Sequence, residues 1–104
     1  MNYLVERDLR HVWHPCMQMK DFERSKPLVI TRAEGPYLEL DSGQKIIDAI
    51  SSWWCKSLGH NDPRLREALI TQAHRYEHVI LANTAQEKVV ELAERLAGLT
   101  KTLQ

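Results

Sequence analysis

The chain is organised around the stretch SSWWCKSLGHNDP, which occupies residues 51–63. A strand-like segment leads into it, and a helix-like segment leads out. Two tryptophans stand side by side at Trp53 and Trp54, and neighbouring side chains diverge on a helix or a strand. Both rings therefore cannot bury well on one face, and we expect one of them to be exposed or to line a concave surface. The rest of the chain is predicted to be the scaffold that holds this loop.

A small β-sheet is predicted before the Trp-Trp stretch. The segments with β-branched or alternating character are residues 28–32, 37–40 and 45–48, separated by turns at 33–36 and 41–43. Leu38 and Leu40 share one face of the middle strand. In the second turn, Gly43 is available for positive φ. The pattern predicts a three-stranded antiparallel meander.

Helices are predicted on both sides of this meander. Residues 2–12 form a short helix that ends before Pro15, and residues 18–27 are polar and irregular. Asp62 is the expected N-cap of a helix over residues 63–76, with Pro63 at its first position.

A last helix is predicted after a linker at residues 78–83. Thr84 and Glu87 fit a capping box, and Gly98 is the expected terminator near the end of the helix. The apolar stripe of this helix consists of Val89, Leu92, Ala93, Leu96 and Leu99. Together the elements predict an α+β fold, in which a meander is flanked by helices.

Composition limits the possible partners. At 104 residues the chain forms one domain at most, and its 43% hydrophobic content is ordinary for a soluble globular protein. Lys+Arg and Asp+Glu both number 14, so a zero net charge gives no reason to expect nucleic acid or an anionic membrane as partner. There is no apolar run of membrane-spanning length and no signal peptide at the start. Cys16 and Cys55 are expected to be free thiols in a cytoplasmic protein.

Three chemical alternatives are weaker than a structural role for the same residues. A zinc site built from His11, His14, Cys16, Cys55 and His60 lacks paired ligand spacing. A Cys55–His60 nucleophilic pair has no group to orient the base. An anion site at the helix start near Gly59 would face the negative charge of Asp62. For the tryptophans, packing in a core or interface and lining a substrate pocket both stay open at this point.

Six segments, taken in order, resemble a known family. They are HVWHP at 11–15, AEG at 33–35, LDSG at 40–43, ID at 47–48, SSWW at 51–54 and LGHNDP at 58–63. Together they are similar to the N-terminal part of the adenosylmethionine–8-amino-7-oxononanoate aminotransferases, a biotin-pathway family of class III pyridoxal-phosphate enzymes. The later segments are shared across class III, whereas Trp-His-Pro and Ser-Ser-Trp-Trp point to this member. The resemblance covers the chain from about residue 10 to residue 100.

The resemblance implies a reaction and its substrates. Such enzymes transfer an amino group from S-adenosylmethionine to 8-amino-7-oxononanoate, giving 7,8-diaminononanoate, with pyridoxal phosphate as cofactor. The complete enzyme is implied to be a cytoplasmic homodimer with the fold of a type I transferase. The resemblance also divides residues 1–104, a single N-terminal segment, into a helix with a substrate-side loop (1–27), the meander (28–50), the Trp-Trp loop (51–62) and two helices (63–104).

The resemblance also implies which residues contact substrate. Trp53 is expected to line the substrate site, and Trp54 is a weaker candidate. The family usually has tyrosine at the position of Cys16, which lacks both the ring and the phenol, so its substrate role is in doubt. A Thr-His pair of the family is replaced by Ala85-Gln86, so the contact made there is expected to be lost or altered.

The cofactor lysine of the family lies beyond the matched segment. We therefore expect no catalytic, cofactor-binding or metal-binding residue in this chain, no covalent hold on pyridoxal phosphate and no turnover by the chain alone. The alternatives are a non-catalytic assembly or regulatory module and a decayed, truncated copy of the enzyme. A small metal-binding protein is a third and weaker alternative.

Overall fold

The computed structural model describes residues 2–100. The chain divides into two compact units, Met1–Arg66 and Glu67–Gln104. Its elements, in order, are helix α1 (Tyr3–His11), a 3-10 helix (Met19–Glu23), strands β1 (Ile30–Glu34), β2 (Tyr37–Leu40) and β3 (Lys45–Ile47), helix α2 (Pro63–Ala73) and helix α3 (Glu87–Thr100). Within residues 2–100, no helix combines the length and the apolar character needed to cross a bilayer.

The three strands form one antiparallel sheet in the order β1-β2-β3, so the predicted meander with flanking helices is confirmed. Strand β1 lies two residues later than the predicted 28–32, because the connection to β2 needs only Gly35 and Pro36. Gly35 has a φ of +54°, which an L side chain rarely adopts. A register shift at Thr31 adds one residue to β1, and the Thr31 hydroxyl donates to the Glu39 carbonyl (3.2 Å).

The first unit has a very small core. Among the described residues, the buried hydrophobic side chains are Val5 of α1, Phe22 of the 3-10 helix and Leu40 of β2. The prediction of an irregular segment at 18–27 was wrong, because the lone phenylalanine of that polar run is 6% exposed and holds a helical turn in place. The ring of His14 meets Phe22 edge-on, with 4.8 Å between ring centroids.

Helix α1 confirms the prediction for residues 2–12 within one residue at each end. Asn2 is its N-cap and accepts a hydrogen bond from the Leu4 N–H (2.9 Å). The Asn2 side-chain amide also donates to the carboxylate of Asp41 in the β2–β3 turn. The N-terminus of α1 is therefore hydrogen-bonded to the sheet.

Both ends of the Trp-Trp stretch are hydrogen-bonded to the turn between β1 and β2. Gly35 and His60 exchange two backbone bonds, 3.0 Å from the Gly35 N–H and 2.8 Å from the His60 N–H. The Asp48 N–H donates to the Pro36 carbonyl (2.9 Å). Residues 48–60 thus leave and rejoin the sheet at the same two-residue turn.

Helix α2 starts where the sequence predicts. Asp62 caps it by accepting from the N–H groups of Arg64 (2.9 Å) and Leu65 (3.4 Å). The helix ends at Ala73, three residues before the predicted Tyr76. There the side chain of Gln72 donates to the Tyr76 carbonyl (3.0 Å) and closes the turn after the helix.

Helix α3 does not use the predicted capping box. It begins at Glu87, and the Thr84 hydroxyl donates backwards to the Ile80 carbonyl (2.5 Å). Gln86 occupies the cap position, and its side chain donates to the Val79 carbonyl (2.7 Å). Gly98 lies inside α3 and does not terminate it, since the helix continues to Thr100. Residues 101–104 lie outside the described residues.

Replacing Gly59 by alanine tests the close contact beneath the Trp-Trp stretch. Gly59 has a φ of +82°, and an added Cβ would lie 3.1 Å from the Gly35 Cα. Strained backbone and a forced shift together should lower the free energy of unfolding by about 2–3 kcal/mol. Urea unfolding followed by circular dichroism measures this change.

Gly43→Ala is the matched control for Gly59→Ala. Gly43 has nearly the same φ, +81°, but no atom lies within 4 Å of an added Cβ. Its replacement should cost about 1 kcal/mol, from backbone strain alone. Equal losses in the two variants would show that the Gly35–Gly59 contact contributes nothing.

Candidate functional site

The residues Ser51–Trp54 form a single helical turn of unusual hand, here called the Trp turn. All four have positive φ, +51°, +46°, +64° and +68° in order. Ser52 and Trp53, with ψ of 55° and 46°, lie in the left-handed α region. L residues visit this region singly in most proteins, at a cost of roughly 1–2 kcal/mol each. A turn of such residues therefore needs interactions from outside its own backbone.

Both indole rings point away from the core. Trp53 is 64% exposed and Trp54 is 83% exposed. Their ring centroids lie 6.4 Å apart, with the planes inclined at 43°. The sequence predicted one exposed ring, and the left-handed turn exposes two. Neither ring packs into the core of this chain, so both are available to a ligand or to another part of a larger protein.

The Trp turn is hydrogen-bonded to a nearly buried carboxylate. Asp48 Oδ2 accepts from the Ser52 hydroxyl and from Nε2 of His60, each at 2.7 Å. The side chain of Asp48 is 6% exposed, and that of His60 is 10% exposed. Since an ionised carboxylate only accepts hydrogen bonds, Nε2 of His60 carries the proton.

These donors keep Asp48 ionised. The backbone N–H and then the hydroxyl of Ser52, followed by the ring of His60, lower the pKa of Asp48 from 3.8 to about 2, against the opposing effect of burial. The carboxylate is thus a fixed negative charge between the end of β3 and the Trp turn. Its role here is structural, because its side-chain bonds to Ser52 and His60 connect the end of β3 with both sides of the Trp turn.

The start of α2 is not an open anion site. Asp62 fills it with its own carboxylate, and Arg64 donates to that carboxylate from Nη2 (2.9 Å) and Nε (3.2 Å). The Arg64 side chain is the largest influence that lowers the pKa of Asp62, from 3.8 to about 2. The predicted role of Asp62 as a cap is confirmed. The helix N–H groups and the Arg64 guanidinium, which would attract an anion, are already paired with the Asp62 carboxylate.

Cys16 lies on a separate loop. It is exposed, has a φ of +58°, and makes no hydrogen bond to either tryptophan within residues 2–100. The loop is held to α1 by His14, whose Nε2 lies 2.6 Å from Asp8 Oδ2. The sequence-predicted site residues therefore fall into two places, with Trp53 and Trp54 together and Cys16 apart.

The other candidate groups are used for local contacts. The Cys55 thiol donates to the Trp53 carbonyl (3.5 Å), while the His60 ring is committed to Asp48. Cys55 and His60 thus have different partners and do not form a nucleophilic pair. Among residues 2–100, no three His, Cys, Asp or Glu side chains come together in a way that could hold a metal ion.

Sequence reasoning missed Asp48 and Ser52. Their positions, one directly after a strand and the other four residues on, suit a short loop bond, but many surface loops show the same residue types. The signal that could have identified them is the left-handed turn, and nothing in Ser-Ser-Trp-Trp indicates positive φ.

Acid should weaken the fold through Asp48. Its pKa is lower in the folded chain than its ordinary value of 3.8, so its stabilisation is complete above about 3.8 and is lost as the pH falls towards 2. Asp48→Asn should be less stable at neutral pH, and its stability should decline less over this pH range. Urea unfolding at a series of pH values measures both effects.

Asp62→Asn is the matched variant for the acid experiment. The pKa of Asp62 is also lowered to about 2, but by Arg64 at a different place in the chain. Each single variant should remove part of the decline, and the double variant should remove more than either. A decline as steep in Asp48→Asn as in the unaltered chain would contradict the assignment.

Known proteins share this sequence and fold. The class-III aminotransferase family matches residues 19–103. Adenosylmethionine-8-amino-7-oxononanoate aminotransferase of Geobacter sulfurreducens is 39% identical over 96 residues, which cover 92% of this chain and 21% of that protein. The same-named protein of Helicobacter pylori is 36% identical over 97 residues, covering 93% and 22%. The chain therefore spans about a fifth of the length of these relatives, and the match lies in their N-terminal fifth.

Solved structures agree. The crystal structure of adenosylmethionine-8-amino-7-oxononanoate aminotransferase from Methanocaldococcus jannaschii gives a TM-score of 0.88 at 38% identity, covering 94% of this chain and 22% of that one. A thermostable (S)-enantioselective omega-transaminase from Thermomicrobium roseum gives 0.85 at 33% identity, covering 92% and 22%. The predicted fold class is thereby confirmed. Because the family match extends over most of its length, the chain belongs to the class-III aminotransferases.

Proposed function

We propose that this chain is the N-terminal part of an enzyme that transfers an amino group from S-adenosylmethionine to 8-amino-7-oxononanoate. The observation that carries the proposal is the outward display of Trp53 on a fixed turn, within a chain whose relatives bear that enzyme's name. In the proposed enzyme the product is 7,8-diaminononanoate. The proposal includes a homodimeric, cytoplasmic enzyme, as the family resemblance implies.

The chemistry of the substrate suits an aromatic surface. 8-Amino-7-oxononanoate is a long aliphatic keto acid, with many methylenes and few polar groups. A flat indole face can contact several methylenes at once and remove them from water, at about 0.8 kcal/mol for each CH₂. Trp53 is proposed to supply this face, and Trp54 is proposed as a secondary contact.

Cys16 is proposed to be a weak contact at most. The family's usual tyrosine would offer a ring and a phenol, whereas the thiol of Cys16 offers neither. Cys16 is an exposed free thiol on a loop of its own. Substrate selection in the proposed enzyme therefore depends more heavily on the Trp turn.

The described residues do not fit the role of holding pyridoxal phosphate, the cofactor implied for class-III enzymes. A lysine that forms a Schiff base is activated by a desolvated or cationic setting. All lysines among residues 2–100 are exposed: Lys20, Lys26, Lys45, Lys56 and Lys88. Lys88 is also paired with Glu91 at 2.8 Å. No step of the reaction is therefore assigned to this chain, whose proposed contribution is binding and orientation.

The apolar surface of the second unit fits a role inside a larger protein. Within this unit, large hydrophobic side chains along α2 and α3 are exposed, namely Leu69, Ile70, Val89, Val90, Leu92, Leu96 and Leu99. Soluble proteins rarely leave so many such residues uncovered. We propose that the remaining polypeptide of the enzyme covers them, because the curated relatives are about five times longer than the matched segment.

A chimaera tests the proposed function. This chain would replace the matched 96 residues of the Geobacter sulfurreducens relative, to which it is 39% identical. The chimaera should form 7,8-diaminononanoate from S-adenosylmethionine and the keto acid. Trp53→Ala should raise KM for the keto acid about tenfold with little change in kcat, because ground-state contact area is lost. Trp54→Ala should have a smaller effect, about threefold or less.

Tyr3→Ala is the control for the tryptophan variants, since Tyr3 is an exposed aromatic residue of α1 outside the matched motifs. It should leave KM unchanged. A folded chimaera without activity would instead favour the alternative, a non-catalytic assembly module or a decayed copy. If the chimaera is active and Trp53→Ala leaves its KM for the keto acid unchanged, the substrate role of that ring is refuted.

The isolated chain should show no selective reaction with pyridoxal phosphate. After an equimolar mixture is reduced with borohydride, mass spectrometry should find any label spread over several exposed lysines. The complete relative, treated in the same way, should carry its label on one lysine. Selective labelling of a single lysine in the isolated chain would overturn this expectation.

A further inference from the structure

We propose that Asp48 is a positioning residue, which holds the Trp turn in its left-handed form through Ser52 and so sets the direction of Trp53. The inference rests on the proposed function only for its consequence for substrate. The conformational role itself is a property of this chain. It is argued from the hand of the turn, from its hydrogen bonds and from the attachment of Asp48.

The backbone bonds of the Trp turn do not select its hand. The Trp54 N–H donates to the Ile50 carbonyl (3.0 Å), and the Cys55 N–H donates to the Ser51 carbonyl (2.9 Å). A right-handed turn could form bonds of the same spacing without the penalty of left-handed L residues. The preference for the strained form must therefore come from other contacts, and both the N–H and the hydroxyl of Ser52 donate to the Asp48 carboxylate.

The Ser52 hydroxyl is the side-chain donor among these contacts. At fixed chirality, inverting φ and ψ changes the direction of the Cα–Cβ bond, and in the left-handed turn this bond directs the Ser52 hydroxyl to Asp48. The bond is 2.7 Å long and ends on an ionised oxygen, which makes it a strong hydrogen bond. Ser51 stands beside it with the same positive φ, but its hydroxyl makes no bond to Asp48.

Asp48 can hold the turn because it is itself held. Its backbone N–H is bonded to Pro36, and its carboxylate to the ring of His60. His60 in turn exchanges two backbone bonds with Gly35. The oxygen that accepts from Ser52 is therefore fixed relative to the β1–β2 turn from two sides.

The Trp pair provides a direct readout of the turn. Two indoles 6.4 Å apart and inclined at 43° should give an exciton couplet in far-ultraviolet circular dichroism, whose size depends on that geometry. The variant Trp53→Phe removes one indole, so its spectrum is the baseline for a chain without the Trp53–Trp54 pair. Ser52→Ala and Asp48→Asn should both lose the couplet, while Ser51→Ala should keep it.

Glycine provides the rescue. Ser52→Gly also removes the hydroxyl but adopts positive φ without steric cost. It should therefore retain more of the couplet than Ser52→Ala does. Glu91→Gln controls for loss of a carboxylate, because Glu91 also has a lowered pKa but lies in α3, and this variant should keep the couplet.

The outcomes separate the inference from the proposed function. If Ser52→Ala keeps the couplet, the positioning role of Asp48 is wrong, even if Asp48→Asn fails to fold. If Ser52→Ala and Ser52→Gly lose it equally, the hydroxyl does not act through the hand of the turn, and the inference also fails. Loss of the couplet as predicted, together with an inactive chimaera, would support the positioning role and refute the proposed enzyme.

Discussion

The structure around the tryptophans depends on one pair of backbone hydrogen bonds, those that Gly35 and His60 exchange. They bring residue 60 back to the turn from which residue 48 departs, and they place the His60 ring beside Asp48. The close approach requires Gly59 to lack a side chain, since a Cβ there would meet the Gly35 backbone. Without this contact the carboxylate would lose one of its two side-chain donors, and the loop would lose one of its ends.

The second constraint is electrostatic and acts over a shorter range. A carboxylate that is 6% exposed is tolerated because hydroxyl, backbone and imidazole donors surround it. The same donors tie a strand end to a turn that L residues disfavour. Burial, ionisation and backbone conformation are thus coupled at Asp48. This coupling lets two large apolar rings be exposed in a defined orientation, although the first unit buries few hydrophobic side chains.

Local sequence patterns predicted an element well where the pattern itself produces that element. Alternation at residues 37–40 and the Asp62-Pro63 cap reflect the sheet and the helix start directly. Long-range or context-dependent features escaped prediction. The Thr84 capping box failed because the hydroxyl found the Ile80 carbonyl, and Phe22 ordered a polar segment through contacts that are not local. For the site, the sequence identified the tryptophans but gave no indication of their left-handed backbone or of Asp48.

The attachment of residues 48–60 at one two-residue turn separates the inside of the loop from the sheet. The loop is hydrogen-bonded to the β1–β2 turn at its two ends, residues 48 and 60. A change of sequence between these ends therefore need not alter the register of the strands. Similar structures include an adenosylmethionine-8-amino-7-oxononanoate aminotransferase and an (S)-enantioselective omega-transaminase. The β1–β2 turn is thus the frame that fixes the loop, and the residues between the two ends are the part whose sequence can change.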